Sequence, residues 1–121
     1  GWFDQHVARL RTLYHQKVAA ITAAMESCVR PILDVHYEVP KGGLYLWVRL
    51  PDDINTGVDG RLFEAAVNEG VLYVPGEYCF PPEGDPVRRC CLRLSFAMPD
   101  CDGLQRGVER LSRAIQLVVQ D

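Results

Sequence analysis

The sequence predicts an α+β fold, a two-layer sandwich in which helices cover one face of a small, mostly antiparallel sheet. Segments with an apolar residue at every third or fourth position stand at both ends of the chain, as in amphipathic helices. Segments with apolar residues at alternate positions stand between them, as in half-buried strands. The resulting order is α-β-β-α-β-β-α. Short links to the third and fourth strands leave parallel and antiparallel pairing of these two open.

Composition narrows the class of protein. The chain has 121 residues, of which 48% are hydrophobic and 24% charged, so we expect a single globular domain spanning residues 1–121. A net charge of −3 offers no basic excess for a phosphate backbone, which excludes nucleic acid as the expected partner. No run approaches the roughly 18 apolar residues of a membrane span. Because the sequence opens on Gly1 without a methionine, we expect a piece of a longer polypeptide.

Cysteine usage predicts reduced thiols and a cytoplasmic location. The five cysteines are odd in number, and Cys90 and Cys91 are adjacent, a spacing that rarely allows a disulfide. A zinc site is the alternative, but no Cys-x-x-Cys pair is present. Nothing beyond their adjacency suggests redox activity for Cys90 and Cys91, so we interpret them as buried or loop thiols and leave any further role open.

The first predicted helix covers residues 4–29 and ends before Pro31. At 1.5 Å per residue it would be roughly 39 Å long, longer than a compact domain of this size needs. We therefore expect one end to pack on something else or to lead in from a preceding domain. Its apolar stripe consists of Val7, Leu10, Tyr14, Val18, Ile21, Met25 and Cys28.

Four strands are predicted, at residues 35–39, 44–50, 71–74 and 91–96. The first two are joined by Pro40-Lys41-Gly42-Gly43, which suits a hairpin. Residues 77–89 contain three prolines and no periodicity, which indicates a loop.

Two further helices are predicted. A short helix runs to residue 69, with Asp59 as its N-cap and Gly70 as its stop. The last helix begins at Pro99-Asp100, and its apolar stripe consists of Leu104, Val108, Leu111, Ile115 and Val118.

Familiar catalytic motifs for phosphate binding, serine hydrolysis and zinc proteolysis are absent from the sequence. The only lysines are Lys17, off the apolar stripe, and Lys41, in a turn, and both are interpreted as solvated rather than as Schiff-base lysines. The sequence therefore predicts no catalytic residue and no cofactor-binding residue in this chain.

No metal site is predicted either. The three histidines, His6, His15 and His36, are scattered and are interpreted as surface or partly buried side chains. An acidic stretch around Asp59 loosely resembles a calcium loop, but Val58 stands where the loop needs glycine, so we interpret it as a loop and helix cap.

One arginine stands out by its position in a strand. In Cys91-Leu92-Arg93-Leu94-Ser95-Phe96, alternation places Arg93 on the face opposite the aliphatic side chains. Alternation in residues 44–50 likewise places Tyr45 and Trp47 opposite the leucines. If the aliphatic faces pack on the helices, the other face carries Tyr45, Trp47 and Arg93. A guanidinium in aromatic surroundings suits bidentate capture of a carboxylate, although the pattern alone fits an ordinary solvated strand arginine better.

Several stretches together carry a family resemblance. They are residues 6–11 with Tyr14, 40–51 with its Pro-Lys-Gly-Gly-Leu-Tyr-Leu-Trp run, 70–76, 92–97 with its Leu-Arg-Leu-Ser-Phe strand, and 107–111. In this order, the chain resembles the C-terminal small domain of fold-type-I, pyridoxal-phosphate-dependent aminotransferases of class I/II, in the branch with 2-aminoadipate and kynurenine aminotransferases. The resemblance covers nearly the whole chain.

The resemblance implies roles for particular side chains. The arginine of the Leu-Arg-Leu-Ser-Phe strand, here Arg93, binds the substrate α-carboxylate in that family. Tyr45 corresponds to an aromatic residue near the substrate side chain. The family usually has an aromatic residue three positions after the Pro-Gly pair, where this chain has Cys79, and Phe80 follows one position later.

The resemblance also implies a reaction: transfer of an amino group from an amino acid to a 2-oxo acid, with pyridoxal 5′-phosphate as cofactor. The Schiff-base lysine and the phosphate-binding groups belong to the family's large domain, which is not in this chain. The fragment alone is therefore expected to be inactive, and the full-length protein is expected to be a homodimer.

Two other readings stay open. Some bacterial transcription regulators join a winged-helix DNA reader to an aminotransferase-like body, and the last domain of that body also resembles this chain; there the fold would sense a ligand. A free-standing α+β ligand-binding domain is the third reading, and the aromatic face argues against it.

Overall fold

The computed structural model describes residues 1–39, 43–79, 89–96 and 99–119. Within these ranges the helices are α1 (Trp2–Ala24), α2 (Arg61–Asn68) and α3 (Cys101–Val119), and the strands are β1 (His36–Glu38), β2 (Tyr45–Arg49), β3 (Val74–Pro75) and β4 (Cys91–Ser95). A π-helical turn, Met25–Val29, continues α1, and a 3₁₀ turn, Gly76–Tyr78, follows β3. The predicted order of elements is confirmed.

The four strands form one sheet in the order β1-β2-β4-β3, and every neighbouring pair is antiparallel. The pairing of the third and fourth strands, which the sequence left open, is therefore antiparallel. β2 and β4 are central and share five register positions, from Tyr45 opposite Ser95 to Arg49 opposite Cys91. Most of the 40–43 connection and of the predicted 77–89 loop lies outside the described residues.

The core lies between the helices and one face of the sheet. Alternate residues of β2 and β4 point into it, and they are buried together with the inner faces of α1, α2 and α3. Its largest fully buried side chains include Leu46, Val48, Leu92, Phe96, Ile21, Met25, Leu62, Leu111 and Ile115. The predicted two-layer α+β sandwich is confirmed, with the aliphatic sheet face covered by helices.

The long first helix is confirmed, but only its C-terminal half is buried. Ile21, Ala24 and Met25 are in the core, whereas Leu10, on the predicted stripe, is 53% exposed. The sequence stripe therefore continues beyond the part of α1 that this domain covers.

A hydrogen-bonded cluster joins the end of the first helix to the edge strand β1. The Glu26 carboxylate accepts hydrogen bonds from the Tyr37 hydroxyl and the Arg30 Nε, both at 2.6 Å. These bonds, with that from Tyr37 the larger influence, hold the pKa of Glu26 below its usual value. Partial burial and the bond to Glu26 raise the pKa of Tyr37. The cluster ties β1 to the helical layer.

Two sequence predictions were wrong in detail. The third strand is Val74–Pro75 rather than 71–74, and Leu72 is 79% exposed. Its pairing with β4 begins only at Val74, and proline lacks the N–H group that further pairing needs. The N-cap of α2 is Gly60 rather than Asp59, because the Asp59 carboxylate pairs with Arg89 instead.

The predicted stop of α2 at Gly70 is confirmed. Gly70 has a φ of 87°, in the left-handed region that glycine adopts at little cost. Its N–H donates to the Val67 carbonyl, and the N–H of Val71 donates to the Ala66 carbonyl. This is the Schellman arrangement, which satisfies the last carbonyls of a helix.

Candidate carboxylate-binding site

Arg93 lies at the middle of β4, on the sheet face opposite the helices. Its register partners are Trp47 on β2 and Val74 on β3, so strands flank it on both sides. The side chain is half-buried. Pairing on both sides holds the backbone of Arg93 in place. Its side chain lies on the sheet face that alternation predicted.

The Arg93 guanidinium lies over the ring of Tyr45, with its central carbon 4.8 Å from the ring centroid. Tyr45 is opposite Ser95 in the β2–β4 register, which makes Tyr45 and Arg93 diagonal neighbours on one face. Such a distance is within the range of a cation–π contact. The structure thus brings together two of the residues that the sequence singled out.

Trp47, the third residue of the predicted aromatic face, is not bare. It is 6% exposed and packs in a small second cluster with Cys90 and Cys91, against which Tyr45 and Cys79 also lie. The sequence placed Trp47 on this face, and the structure shows that it is covered there. Sequence alternation could assign Trp47 to a face but could not show that thiols from other parts of the chain cover it.

The charge of the Arg93 guanidinium has no acidic partner among the described residues. Within the described ranges, no carboxylate lies within ion-pair distance of it. Arginine presents its N–H donors in the plane of the guanidinium, in a geometry that matches both oxygens of a carboxylate. The contact with Tyr45 and this donor geometry together make Arg93 a candidate carboxylate-binding residue.

The start of β4 is held by a polar network that the sequence did not indicate. Buried Thr56 donates through its N–H to the Arg89 carbonyl at 2.7 Å, and its hydroxyl lies within hydrogen-bond distance of the Arg89 and Cys91 carbonyls. The Tyr73 hydroxyl donates to the Thr56 carbonyl at 2.8 Å, and burial raises the pKa of Tyr73.

A close ion pair between Arg89 and Asp59 lies beside this network. Arg89 Nη2 lies 2.7 and 2.8 Å from the two carboxylate oxygens of Asp59. This bonding lowers the pKa of Asp59 and raises that of Arg89. Thr56 lies between Asn55 and Gly57, in a stretch without apolar periodicity, so the sequence carried no signal for this network.

Neither a lysine nor a metal-binding cluster lies beside Arg93 among the described residues. Lys17 is on α1, in the helical layer, whereas Arg93 is on the opposite sheet face, and Lys41 and Phe80 lie outside the described residues. All five cysteines are described and none forms a disulfide. Across residues 1–39, 43–79, 89–96 and 99–119, no group of three or more His, Cys, Asp or Glu side chains could hold a metal ion. The helices of the same ranges include none with the length and apolar character of a membrane span.

Comparison with known proteins gives a consistent set of relatives. No family model matches the chain. It is 36% identical over 114 residues to the 2-aminoadipate transaminase of Thermus thermophilus, a match that covers 94% of this chain and 27% of that protein. Among solved structures it is similar to the α-aminoadipate aminotransferase LysN, also of Thermus thermophilus, with a TM-score of 0.76, 33% identity, and coverage of 98% of this chain and 28% of that one. The kynurenine aminotransferase of Pyrococcus horikoshii gives a TM-score of 0.76 and 30% identity, with 100% of this chain and 28% of that one covered.

Transcription regulators also occur among the relatives. The HTH-type transcriptional regulator TauR of Rhodobacter capsulatus is 28% identical over 116 residues, which covers 96% of this chain and 22% of that protein. The chain thus spans about a quarter of the length of the proteins it matches.

Proposed function

Because this chain belongs to the pyridoxal-phosphate-dependent aminotransferases by sequence and by fold, we propose that it is the C-terminal small domain of such an enzyme and that Arg93 holds the substrate α-carboxylate. The reaction is transfer of an amino group from an amino acid to a 2-oxo acid. The observation that carries the proposal is the position of the Arg93 guanidinium, half-buried on the sheet face away from the helices and without a carboxylate partner among the described residues.

The contribution of this chain is binding and orientation. Arg93 would bind the carboxylate that every amino acid and 2-oxo acid substrate has in common, so the clamp is independent of the substrate side chain. Tyr45 is proposed to line the same site. Holding the carboxylate fixes the rotation of the substrate α-carbon relative to the reacting groups, which lowers the entropy cost of reaching the productive geometry.

The cofactor would be held outside this chain. Pyridoxal phosphate serves as an electron sink for charge at the substrate α-carbon when it is bound. The described residues do not fit a cofactor site here, since Lys17 is on the helical side of the sheet. We therefore propose that a large domain of the same polypeptide binds the cofactor and that this chain alone has no activity. The resemblance to the family further leads us to propose a homodimer for the full-length protein, and the free cysteines favour a cytoplasmic location.

The test is kinetic and uses the full-length polypeptide that contains this chain, loaded with pyridoxal phosphate. Its substrates are 2-aminoadipate, kynurenine and an aromatic amino acid. Arg93→Ala should raise KM and lower kcat/KM for each of them, by on the order of 2–5 kcal/mol in transition-state binding. Arg106→Ala removes an exposed arginine of α3 and is the matched control. Unchanged kinetics in Arg93→Ala would contradict the proposal.

A ligand-sensing role is the second candidate, and the match to TauR supports it. The enzyme and the regulator differ in the other domains that the polypeptide must contain. A coding sequence with a cofactor-binding domain and no DNA reader favours the enzyme, whereas an additional winged-helix domain favours the regulator. In the regulator, ligand would change DNA affinity without release of a 2-oxo acid product. A free-standing chain with neither domain would leave Arg93 as an anion-binding residue only.

A further inference from the structure

We infer that Tyr45 is a positioning residue for Arg93: its ring fixes the guanidinium in the orientation that receives the carboxylate. This inference rests on the proposed carboxylate clamp and deepens it. The resemblance assigns Tyr45 to the neighbourhood of the substrate side chain, which is a different role with different consequences.

The geometry favours action through Arg93. The guanidinium carbon lies 4.8 Å from the Tyr45 ring centroid, and the backbones that carry the two residues are joined in the most extensive pairing of the sheet. Trp47 is directly opposite Arg93 and is buried in a cluster with thiols, so it is already packed on its own partners. Among the described residues, the aromatic ring over which the guanidinium lies is therefore that of Tyr45.

The contact with Tyr45 is compatible with carboxylate binding at the same guanidinium. A guanidinium has five N–H donors in one plane, and a carboxylate held in bidentate fashion takes two of them. The negative face of an aromatic ring attracts the positive charge that lies over it, so the ring restrains the side chain without supplying a hydrogen-bond acceptor of its own. A side chain held this way loses less conformational entropy when the carboxylate binds, because part of its freedom has been lost already.

The two roles predict different dependence on substrate size. A ring that contacts the substrate side chain affects bulky amino acids and spares alanine, whose methyl group reaches little beyond the α-carbon. A ring that orients Arg93 affects every amino acid alike, because the carboxylate is common to all of them. The two roles also differ when Arg93 is absent, since a positioning residue then has nothing to orient.

The experiment is a double-mutant cycle in the full-length, cofactor-loaded polypeptide, with alanine and phenylalanine as substrates. The variants are Tyr45→Leu, Tyr45→Phe, Arg93→Ala and the double variant Tyr45→Leu/Arg93→Ala. We expect Tyr45→Leu to lower kcat/KM by roughly 3- to 30-fold for both substrates, mainly through KM. Tyr45→Phe keeps the ring and should stay within about twofold of the parent protein. In the Arg93→Ala background, Tyr45→Leu should add less than about twofold.

Each outcome separates this inference from the proposed function. If Arg93→Ala leaves kcat/KM unchanged, the clamp itself is wrong, and the positioning role fails with it. If Arg93→Ala is damaging but Tyr45→Leu acts only on phenylalanine, or multiplies fully with Arg93→Ala, the clamp stands and the positioning role is overturned. Failure of Tyr45→Phe to retain activity would overturn it as well, because the hydroxyl and not the ring would then be required.

Discussion

Thr56 offers the sharpest test of how the strand that carries Arg93 is held in place. Its side chain is 1% exposed, and its hydroxyl faces the carbonyls of Arg89 and Cys91 at the start of β4. Thr56→Val replaces the hydroxyl by a methyl group of similar size. The shape of the core is kept, and what is lost is the hydrogen bond that the hydroxyl donates.

The magnitude follows from what each carbonyl retains. The Arg89 carbonyl still accepts the Thr56 N–H at 2.7 Å, so its loss is partial. Thr56→Val also removes the hydroxyl bond to the Cys91 carbonyl and places an apolar methyl group beside that oxygen, at a cost of about 1–3 kcal/mol. Thr56→Ser keeps the donor and removes one methyl group, which costs about 1 kcal/mol. Thr56→Val should therefore be the more damaging of the two.

Urea unfolding of this chain measures the difference, with the slope of free energy against urea concentration as a check that the same surface is exposed. Thr12→Val is the matched control, because the Thr12 hydroxyl donates to the Ala8 carbonyl on an exposed turn of α1. The control should change the free energy of unfolding by less than about 0.5 kcal/mol. Equal losses of stability in Thr56→Val and in the control, or in Thr56→Ser and Thr56→Val, would show that the Thr56 hydroxyl does not hold the start of β4.

Two further predictions concern glycine packing and pH. Gly76→Ala should destabilise the chain by about 1–3 kcal/mol, because the added Cβ would lie 2.8 Å from both the Cβ and the carbonyl oxygen of Cys91. Gly107 is in the middle of α3, and a Cβ added there meets nothing within 4 Å. Gly107→Ala should therefore stabilise the chain by about 0.5–1 kcal/mol. Thermal unfolding of both variants checks the pair, and a loss of stability in both would show that the spacing at Gly76 is not the cause. The bonds from Arg89 hold the pKa of Asp59 below its ordinary value of 3.8, so the pair stabilises the fold above that pH, and this contribution is lost as the pH falls further. Unfolding midpoints at about pH 6 and about pH 3 should therefore differ less in Asp59→Asn than in the parent chain, and equal differences would contradict the assignment.

The local sequence pattern correctly predicted most secondary-structure elements and the sheet face on which their side chains lie, because both depend on residues that are neighbours in sequence. The periodicity of α3 and the alternation in β2 and β4 reflect backbone geometry, and they correctly placed Arg93 opposite the core. Errors arose where a distant residue intervened. Asp59 had the composition of a helix cap, but Arg89, 30 positions away, takes its carboxylate. The third strand was shortened because only Val74 and Pro75 meet a partner.

Residue propensity and period were enough to predict the α+β class, the order of the elements and the sheet face that carries Tyr45, Trp47 and Arg93. Which of these three residues is covered and which contacts another depends on long-range packing, which is seen only in the folded chain. Trp47 is buried by thiols that come from two separate stretches of the chain, whereas Tyr45 meets the Arg93 guanidinium across the β2–β4 register. Contacts of this kind join residues that are far apart in sequence, so no local pattern contains them.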